Sequence, residues 1–212
     1  NMLDFNLQAN NITKYFVKKH FIFKNLSLNI QNNEIVGLIG DNGSGKSTLL
    51  KILAGIISPS EGNIKFCLNN QEISLNHFNN YYSFVAPYLN LYEEFTPYEH
   101  YKIVSKIRNI SFDENKLDND LKYFKLFPYK HQQIKGFSSG MKQRYKFILA
   151  TQKDNCILFL DEPTSNLDED GINKVKEVIN KHIEKNGAVV IATNEERERV
   201  LCNKIYNMMD YK

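Results

Sequence analysis

The sequence has little of several features that mark particular protein classes. Its three cysteines lie far apart and form no CxxC pair, which favours reduced thiols in a cytosol over a disulfide framework. It has no apolar run of about 18 residues and no basic-then-apolar leader, so we expect neither a membrane span nor a signal peptide. The formal net charge is only +3, which gives no reason to expect a nucleic-acid partner. The five histidines share no metal-ligand spacing, and we interpret them as surface or packing residues.

Strand-like and helical segments alternate along much of the 212 residues. This alternation predicts an α/β fold with a mostly parallel sheet covered on both faces. The predicted strands are residues 5–12, 21–30, 34–40, 63–66, 82–86, 156–161 and 188–193, and the predicted helices are 46–54, 140–151 and 169–185.

The middle of the chain differs from the two ends, because residues 97–127 are helical in pattern and strongly charged. Pro97 suits a first helical position, and Ser111 or Asp113 could cap a second helix. No repeat or linker divides the chain.

Residues 40–48 read GDNGSGKST and match the phosphate-loop pattern GxxxxGK[ST] between a predicted strand and a predicted helix. Glycines let the backbone point its N–H groups inward, and the helix N-terminus favours a phosphate chain. Lys46 is expected to reach the β- and γ-phosphates, and the Ser47 hydroxyl to ligate Mg²⁺. The other candidate ATP-binding residues of this phosphate loop are Asp41, Asn42, Gly43, Ser44, Gly45 and Thr48.

The apolar run 157–160 ends in two carboxylates, Asp161 and Glu162. A carboxylate at the end of a buried strand beside a phosphate loop can hold Mg²⁺, and we assign this role to Asp161. Glu162 is the candidate to polarise the attacking water. Glu162 and Lys46 are therefore candidate catalytic residues.

Residues 137–144 read FSSGMKQR and resemble the signature motif of the ATP-binding cassette family. Residues 161–164 (DEPT) resemble its second nucleotide motif, and residues 165–168 (SNLD) its D-loop. The resemblance covers nearly the whole chain and implies an ATPase with ATP and Mg²⁺ as ligands. It also implies a phosphate-loop α/β core with an N-terminal antiparallel β part and an α-helical subdomain.

The resemblance gives expectations for domains and subunits. We expect a single domain over residues 1–212, with a core of 1–86 and 138–212 and a helical subdomain of about 87–137. Ser138, Ser139 and Gly140 would begin a helix and contact the γ-phosphate of ATP held by a second copy, in a head-to-tail dimer.

The resemblance further implies an aromatic side chain stacked on adenine, ahead of the phosphate loop. Phe16 falls at the usual position and is our candidate, with the adjacent Tyr15 as an alternative. A core aromatic at the end of a strand is the competing interpretation.

Two positions depart from the family pattern. Pro87 stands where the family has a glutamine that touches Mg²⁺, and no glutamine lies between Gln71 and Gln132. Asn194 stands where the family has a histidine at the γ-phosphate; it can donate a hydrogen bond but carries no charge. Loss of one electrostatic stabiliser typically costs about 10²–10³ in rate, so we expect slow or partner-dependent hydrolysis, with Asn194 as a candidate catalytic residue.

We therefore expect the ATP-binding subunit of a transporter, peripheral at the cytoplasmic face, that drives a separate integral membrane subunit. The aromatic segment (residues 88–95) is either core of the helical insert or the groove that docks this subunit. Alternative functions are a soluble cassette ATPase acting on a protein assembly, or a nucleotide-dependent dimerisation switch with little hydrolysis. The charge run at residues 195–199 is interpreted as a solvated helix face.

Overall fold

The computed structural model describes residues 4–17 and 20–212, which fold as two compact units. The first unit takes its described residues from 1–84, Asn155–Glu162 and Ile179–Lys212. The second unit consists of Val85–Asp154 and Pro163–Val178. The predicted insert of 87–137 lies within the second unit, which extends beyond it on the C-terminal side.

Strands and helices alternate over most of the described chain. The strands are β1 (Phe5–Val17), β2 (His20–Gln31), β3 (Ile35–Ile39), β4 (Glu61–Leu68), β5 (Gln71–Ile73), β6 (Tyr82–Val85), β7 (Ile157–Asp161), β8 (Ala188–Thr193) and β9 (Lys204–Asn207). The helices are α1 (Lys46–Leu53), α2 (Leu75–Phe78), α3 (Pro97–Ile107), α4 (Glu114–Tyr123), α5 (Ser139–Ala150), α6 (Glu169–Glu184) and α7 (Glu196–Arg199). Within residues 4–17 and 20–212, none of the helices is long and apolar enough to cross a membrane.

The antiparallel sheet of the first unit has the strand order β2-β1-β4-β5. Its first strand alternates in burial, since Phe5, Leu7 and Ala9 are buried and the residues between them are not. Leu7 pairs with Ile30 of β2, which is also fully buried. Alternation at period two packs one face of the sheet into the core. The predicted N-terminal antiparallel part is confirmed.

The second sheet of the same unit has the order β6-β7-β8-β3-β9, and the pairs β7–β8, β8–β3 and β3–β9 are parallel. Every residue of β7 and β8 is buried, as is typical of parallel strands that are covered on both faces. The mostly parallel sheet is therefore confirmed. Strand β9 was not predicted, because its sequence KIYN has polar residues at both ends and gives no strand-like apolar run.

The helical stretch predicted over residues 97–127 contains two helices, α3 and α4, as its capping signals predicted. Thr96 and Glu99 form a capping box at the start of α3, and Pro97 occupies its first turn. The chain leaves the helical conformation at Asn109, whose φ is 52°. Asp113 caps α4, since its Oδ1 accepts a hydrogen bond from the Lys116 N–H at 2.9 Å, so the second helix uses Asp113 and not Ser111.

Left-handed backbone outside glycine falls mainly on asparagine. Among the described residues, eight of the ten non-glycine residues with positive φ are asparagine: Asn11, Asn25, Asn33, Asn69, Asn70, Asn109, Asn166 and Asn186. The short polar side chain of asparagine tolerates this conformation better than most others do. The other two residues are Lys125 and Glu162.

The charge run at residues 195–199 forms the short helix α7, but it is not the wholly solvated face that was predicted. Glu198 is fully buried, while Glu196, Arg197 and Arg199 are exposed. The cause is tertiary, because α7 lies against β8.

Candidate functional site

The phosphate loop connects the end of β3 to the start of α1. Gly45 is the N-cap of α1, with φ at 103° in the left-handed region. A Cβ at this position would come within 2.5 Å of Cγ2 of Ile22, so only glycine fits. The first backbone N–H groups of an α-helix have no partner within the helix, and at the start of α1 this is the usual condition for binding an anion.

Lys46 is held inside the loop. Its Nζ donates hydrogen bonds to the carbonyl oxygens of Gly40 at 2.7 Å and Asp41 at 2.9 Å, and the residue is 5% exposed. Burial lowers the pKa of Lys46, and the carboxylates of Glu162, Asp161 and Asp41 oppose that shift. The ammonium thus lies among acidic groups, at a place where a bound phosphate would give it a further partner.

Glu162 and the phosphate loop line one cleft of about 320 Å³. Its walls are formed by Ile22, Asn42, Gly43, Gly45, Lys46, Ser47, Thr48 and Glu162. Glu162 directly follows β7 with φ at 43°, and its N–H donates to the Ala192 carbonyl at 2.9 Å. A non-glycine residue in this region stores roughly 1–3 kcal/mol of strain, and such strain clusters at functional sites.

The oxygen donors near the cleft suit Mg²⁺. Asp161 ends β7 and is 2% exposed, and Ser47 lies in the first turn of α1. Within the residues that the structure describes, no group of three or more His, Cys, Asp or Glu side chains could hold a metal. A carboxylate and a hydroxyl fit Mg²⁺, which takes one or two carboxylates and completes its shell with phosphate and water oxygens.

The phosphate loop also contains an unpaired hydroxyl. Ser44 is 2% exposed, and its Oγ has no hydrogen-bond partner among the described residues. Buried polar atoms are nearly always paired in native proteins. A ligand with hydrogen-bonding oxygen atoms would satisfy this one.

Asn194 directly follows β8, the strand between β3, which leads into the phosphate loop, and β7, which ends at Asp161. β8 lies between β3 and β7 in the parallel sheet, so the chain leaves three neighbouring strands at the same edge. The Nδ2 of Asn194 donates a hydrogen bond to Oδ1 of Asn42 at 3.2 Å. The structure thereby brings the last predicted catalytic residue into contact with the phosphate loop.

Phe16 and Tyr15 differ in their freedom to accept a base. Phe16 is 71% exposed, with Nζ of Lys14 at 5.1 Å from its ring centroid. The ring of Tyr15 packs edge-on against Phe21, with centroids 5.6 Å apart. The core interpretation of Phe16 is therefore wrong, and of the two rings Phe16 is the more accessible.

The signature residues lie in the second unit, at the start of α5. Ser138 is the N-cap, and its Oγ accepts a hydrogen bond from the Met141 N–H at 3.2 Å, so the predicted helix start is confirmed. A cleft of about 340 Å³ is lined by Lys125, Leu126, Ser138, Ser139, Gly140, Met141, Arg144, Asn166, Leu167 and Asp168. The signature and the end of the D-loop thus share one surface.

Two interactions next to these motifs were not predicted from the sequence. Asp168 accepts a hydrogen bond from the Gly171 N–H at 2.9 Å, and an acidic residue directly before α6 was a recognisable capping signal. Lys146, 8% exposed on α5, donates to the carbonyls of Ala86 at 2.8 Å and Pro87 at 2.7 Å. A lysine in a charged helix gives no sign in sequence that it will be buried.

Much of the aromatic segment is exposed. Tyr88 is 45% exposed, Leu89 38% and Tyr92 62%, whereas Leu91 and Phe95 are half-buried. The interpretation of the whole segment as core is therefore wrong. The exposed side chains of Tyr88, Leu89 and Tyr92 are therefore accessible to another protein.

Comparison with known proteins gives consistent matches. The family model described as ABC transporter matches residues 23–165. The uncharacterized ABC transporter ATP-binding protein YybJ of Bacillus subtilis is 33% identical over 197 residues, covering 92% of this chain and 88% of YybJ. The lantibiotic transport ATP-binding protein SrtF of Streptococcus pyogenes is 31% identical over 188 residues, covering 89% of this chain and 80% of SrtF.

Among solved structures, the dimeric post-hydrolysis state of the ATP-binding cassette MJ0796, bound to ADP and Pi, is similar to this chain. The TM-score is 0.82 at 24% identity, and the match covers 95% of this chain and 93% of MJ0796. At this level of identity the likeness establishes the fold, which is the phosphate-loop α/β fold expected from the sequence.

Proposed function

This chain belongs to the ABC transporter family, and on that premise we propose that its phosphate-loop cleft binds and hydrolyses ATP to drive a separate membrane subunit. One observation carries the proposal: Lys46, Ser47 and Glu162 line the same cleft at the N-terminus of α1. Together they supply a cation, a hydroxyl and a carboxylate at a helix N-terminus, which are the groups that phosphoryl transfer needs.

In the proposed ATP complex, the phosphates lie on the backbone N–H groups of residues 43–48. Lys46 contributes the positive charge, and the buried hydroxyl of Ser44 gains a partner. Asp41 and Asn42 complete the wall of the loop. Phe16 stacks on adenine, because its ring is exposed and attached to a strand of the same unit.

For hydrolysis, we assign Ser47 and Asp161 as the protein ligands of Mg²⁺, which would neutralise charge on the phosphates. Glu162 accepts the proton of the attacking water. The Asn194 amide donates a hydrogen bond toward the γ-phosphate and replaces part of what a charged group would supply.

The site is completed by a second copy of this chain. The chain has one phosphate loop and one signature, and they lie in different compact units. In a head-to-tail pair, Ser138, Ser139 and Gly140 of one copy would face the γ-phosphate held by the other, with the N-terminus of α5 directed at the anion.

The membrane subunit would dock on the aromatic segment, whose exposed rings supply an apolar contact surface. This location would place the chain at the cytoplasmic face of the membrane. SrtF is named for lantibiotic transport, which supports transport of a solute as the process that the ATPase drives.

The test compares the wild type with Glu162→Gln, with Glu184→Gln as the control at an exposed carboxylate of α6. Phosphate release and dimer formation with MgATP are measured for each protein. We expect turnover in the wild type and the control, and a stable ATP-bound dimer without turnover in Glu162→Gln. Failure of the wild type to bind ATP would contradict the proposal.

A dimerisation switch with little hydrolysis is the second candidate. Pro87 and Asn194 favour it, because neither supplies the side chain that the family uses at its position. Dimerisation of both the wild type and Glu162→Gln with ATP, without phosphate release from either, would select this candidate.

A further inference from the structure

Lys146 places a buried ammonium beneath the start of the aromatic segment. The residue lies on α5 and is 8% exposed, and its Nζ donates to the carbonyl oxygens of Ala86 at 2.8 Å and Pro87 at 2.7 Å. Pro87 is the residue that stands at the glutamine position of the family. The cation is thus bonded to the backbone at the point where the usual side chain is missing.

Apart from these two hydrogen bonds, the surroundings of Lys146 disfavour its charged form. Burial lowers the pKa of Lys146, and the neighbouring Lys142 lowers it further. A buried charge needs hydrogen-bond partners, and here the two backbone carbonyls meet this need. An apolar side chain would fill the same space without this cost, so packing alone does not account for a lysine at this position.

Two other side chains on the same face of α5 bond to the same stretch of chain. Nζ of Lys142 lies 2.7 Å from Oε1 of Glu93, and the Tyr145 hydroxyl donates to the Pro97 carbonyl at 2.9 Å. Residues three and four apart share one face of a helix. Side chains of α5 therefore bond to the segment 86–97 near its start, at Glu93 and at its end.

We propose that Lys146 is a positioning residue that fixes the Pro87 carbonyl on α5, so that the aromatic segment and Ser138 move as one body when nucleotide binds. This inference rests on the proposed function, since it assumes that Ser138 engages ATP. Lys146 touches neither ATP nor water in this scheme and acts through the two segments that it joins.

The test uses the full-length chain and two replacements. Lys146→Met keeps the length and removes the donors, and Lys146→Arg keeps a charge that can donate to both carbonyls. The control is Lys106→Met, on the exposed side of α3 in the same unit. The readouts are kcat and KM for MgATP, and amide hydrogen exchange of residues 88–95 with and without MgATP in a Glu162→Gln background.

We expect Lys146→Met to lower kcat about tenfold while KM changes by less than about twofold, because the phosphate loop is untouched. In the Glu162→Gln background, MgATP should slow exchange of residues 88–95, and Lys146→Met should abolish this slowing. Lys146→Arg should restore both properties, and Lys106→Met should leave both at the wild-type level. If Lys146 only stabilised the fold, its replacement would not change how the amide hydrogen exchange of residues 88–95 responds to MgATP.

The outcomes separate the inference from the function on which it rests. Wild-type kcat and a wild-type exchange response in a folded Lys146→Met protein would overturn the inference alone. If Lys146→Met does not fold, Lys146→Leu, which also removes the donors, takes its place, and the same wild-type result would overturn the inference. Absence of ATP binding by the wild type would overturn the proposed function and this inference with it.

Discussion

Gly140 lies so close to Asn166 that a Cβ on it would be 2.7 Å from the Asn166 carbonyl oxygen. Gly140 belongs to the first turn of α5, and Asn166 lies in the D-loop with φ at 61°. The signature and the D-loop therefore meet backbone to backbone, and position 140 has no space for a side chain.

Gly140→Ala is expected to push the D-loop away from the signature, because the obstacle is backbone that cannot rotate aside. ATP hydrolysis should fall by at least about tenfold, a loss of transition-state stabilisation, while nucleotide binding by the monomer is retained. Steady-state phosphate release and equilibrium binding of a fluorescent ATP analogue measure the two effects.

The matched control for that change is Gly136→Ala. A Cβ on Gly136 would meet nothing within 4 Å, so this variant adds the same methyl group without a clash. Equal activities of the two variants would show that the contact between Gly140 and Asn166 is unimportant for turnover.

Asn194→Ala removes the hydrogen bond to Asn42 and the only side-chain donor that we assign at the end of β8. We expect kcat to fall by about 10²-fold, as for the loss of one transition-state donor, with KM changed by less than about threefold. Steady-state kinetics at saturating Mg²⁺ give both constants.

A double-mutant cycle with Asn42→Ala separates orientation from direct catalysis. If Asn42 serves mainly to orient Asn194, the double variant should be no slower than Asn194→Ala. A kcat for Asn194→Ala equal to that of the wild type would contradict a catalytic role for Asn194.

His100 should make the second unit sensitive to acid. Burial first, and the positive charge of Arg108 second, lower the pKa of His100 to about 4 from 6.5. Between pH 6.5 and about 4, His100 is protonated in the unfolded chain but neutral in the folded chain. The destabilising effect of His100 is therefore absent above pH about 6.5 and grows as the pH drops towards about 4.

His100→Phe should flatten that pH dependence, because phenylalanine does not titrate. The ring packs near Tyr92 and Tyr145, and Nδ1 of His100 has no hydrogen-bond partner among the described residues, so no bond at that atom is lost. Urea unfolding from pH 7 to pH 4 measures the effect, with His131→Asn as the exposed control. An unchanged slope in His100→Phe would contradict the assignment.

Much of this architecture could be predicted because its signals are local. The phosphate loop, the buried run that ends at Asp161 and the Ser138 helix start are each encoded within a few consecutive residues. The parallel sheet followed from alternation alone. Strand β9 did not follow, because Lys204 and Asn207 at its ends leave only two apolar residues between them and so a weak pattern.

What the sequence could not predict is tertiary. Glu198 and Lys146 are charged residues in helical patterns, yet both are buried, because neighbouring elements decide which side of a helix meets solvent. The choice between Phe16 and Tyr15 likewise depends on a cross-strand neighbour, Phe21, whose pairing with Tyr15 cannot be derived from composition.

The asparagine turns affect the unfolded chain as well as the folded one. Glycine would adopt the same left-handed conformations freely, but it would also give the denatured chain more conformations to lose on folding. Asparagine restricts those alternatives and still reaches the required φ. The sequence, with only 10 glycines, thus forms its turns at a smaller loss of conformational entropy than a glycine-rich chain of the same shape.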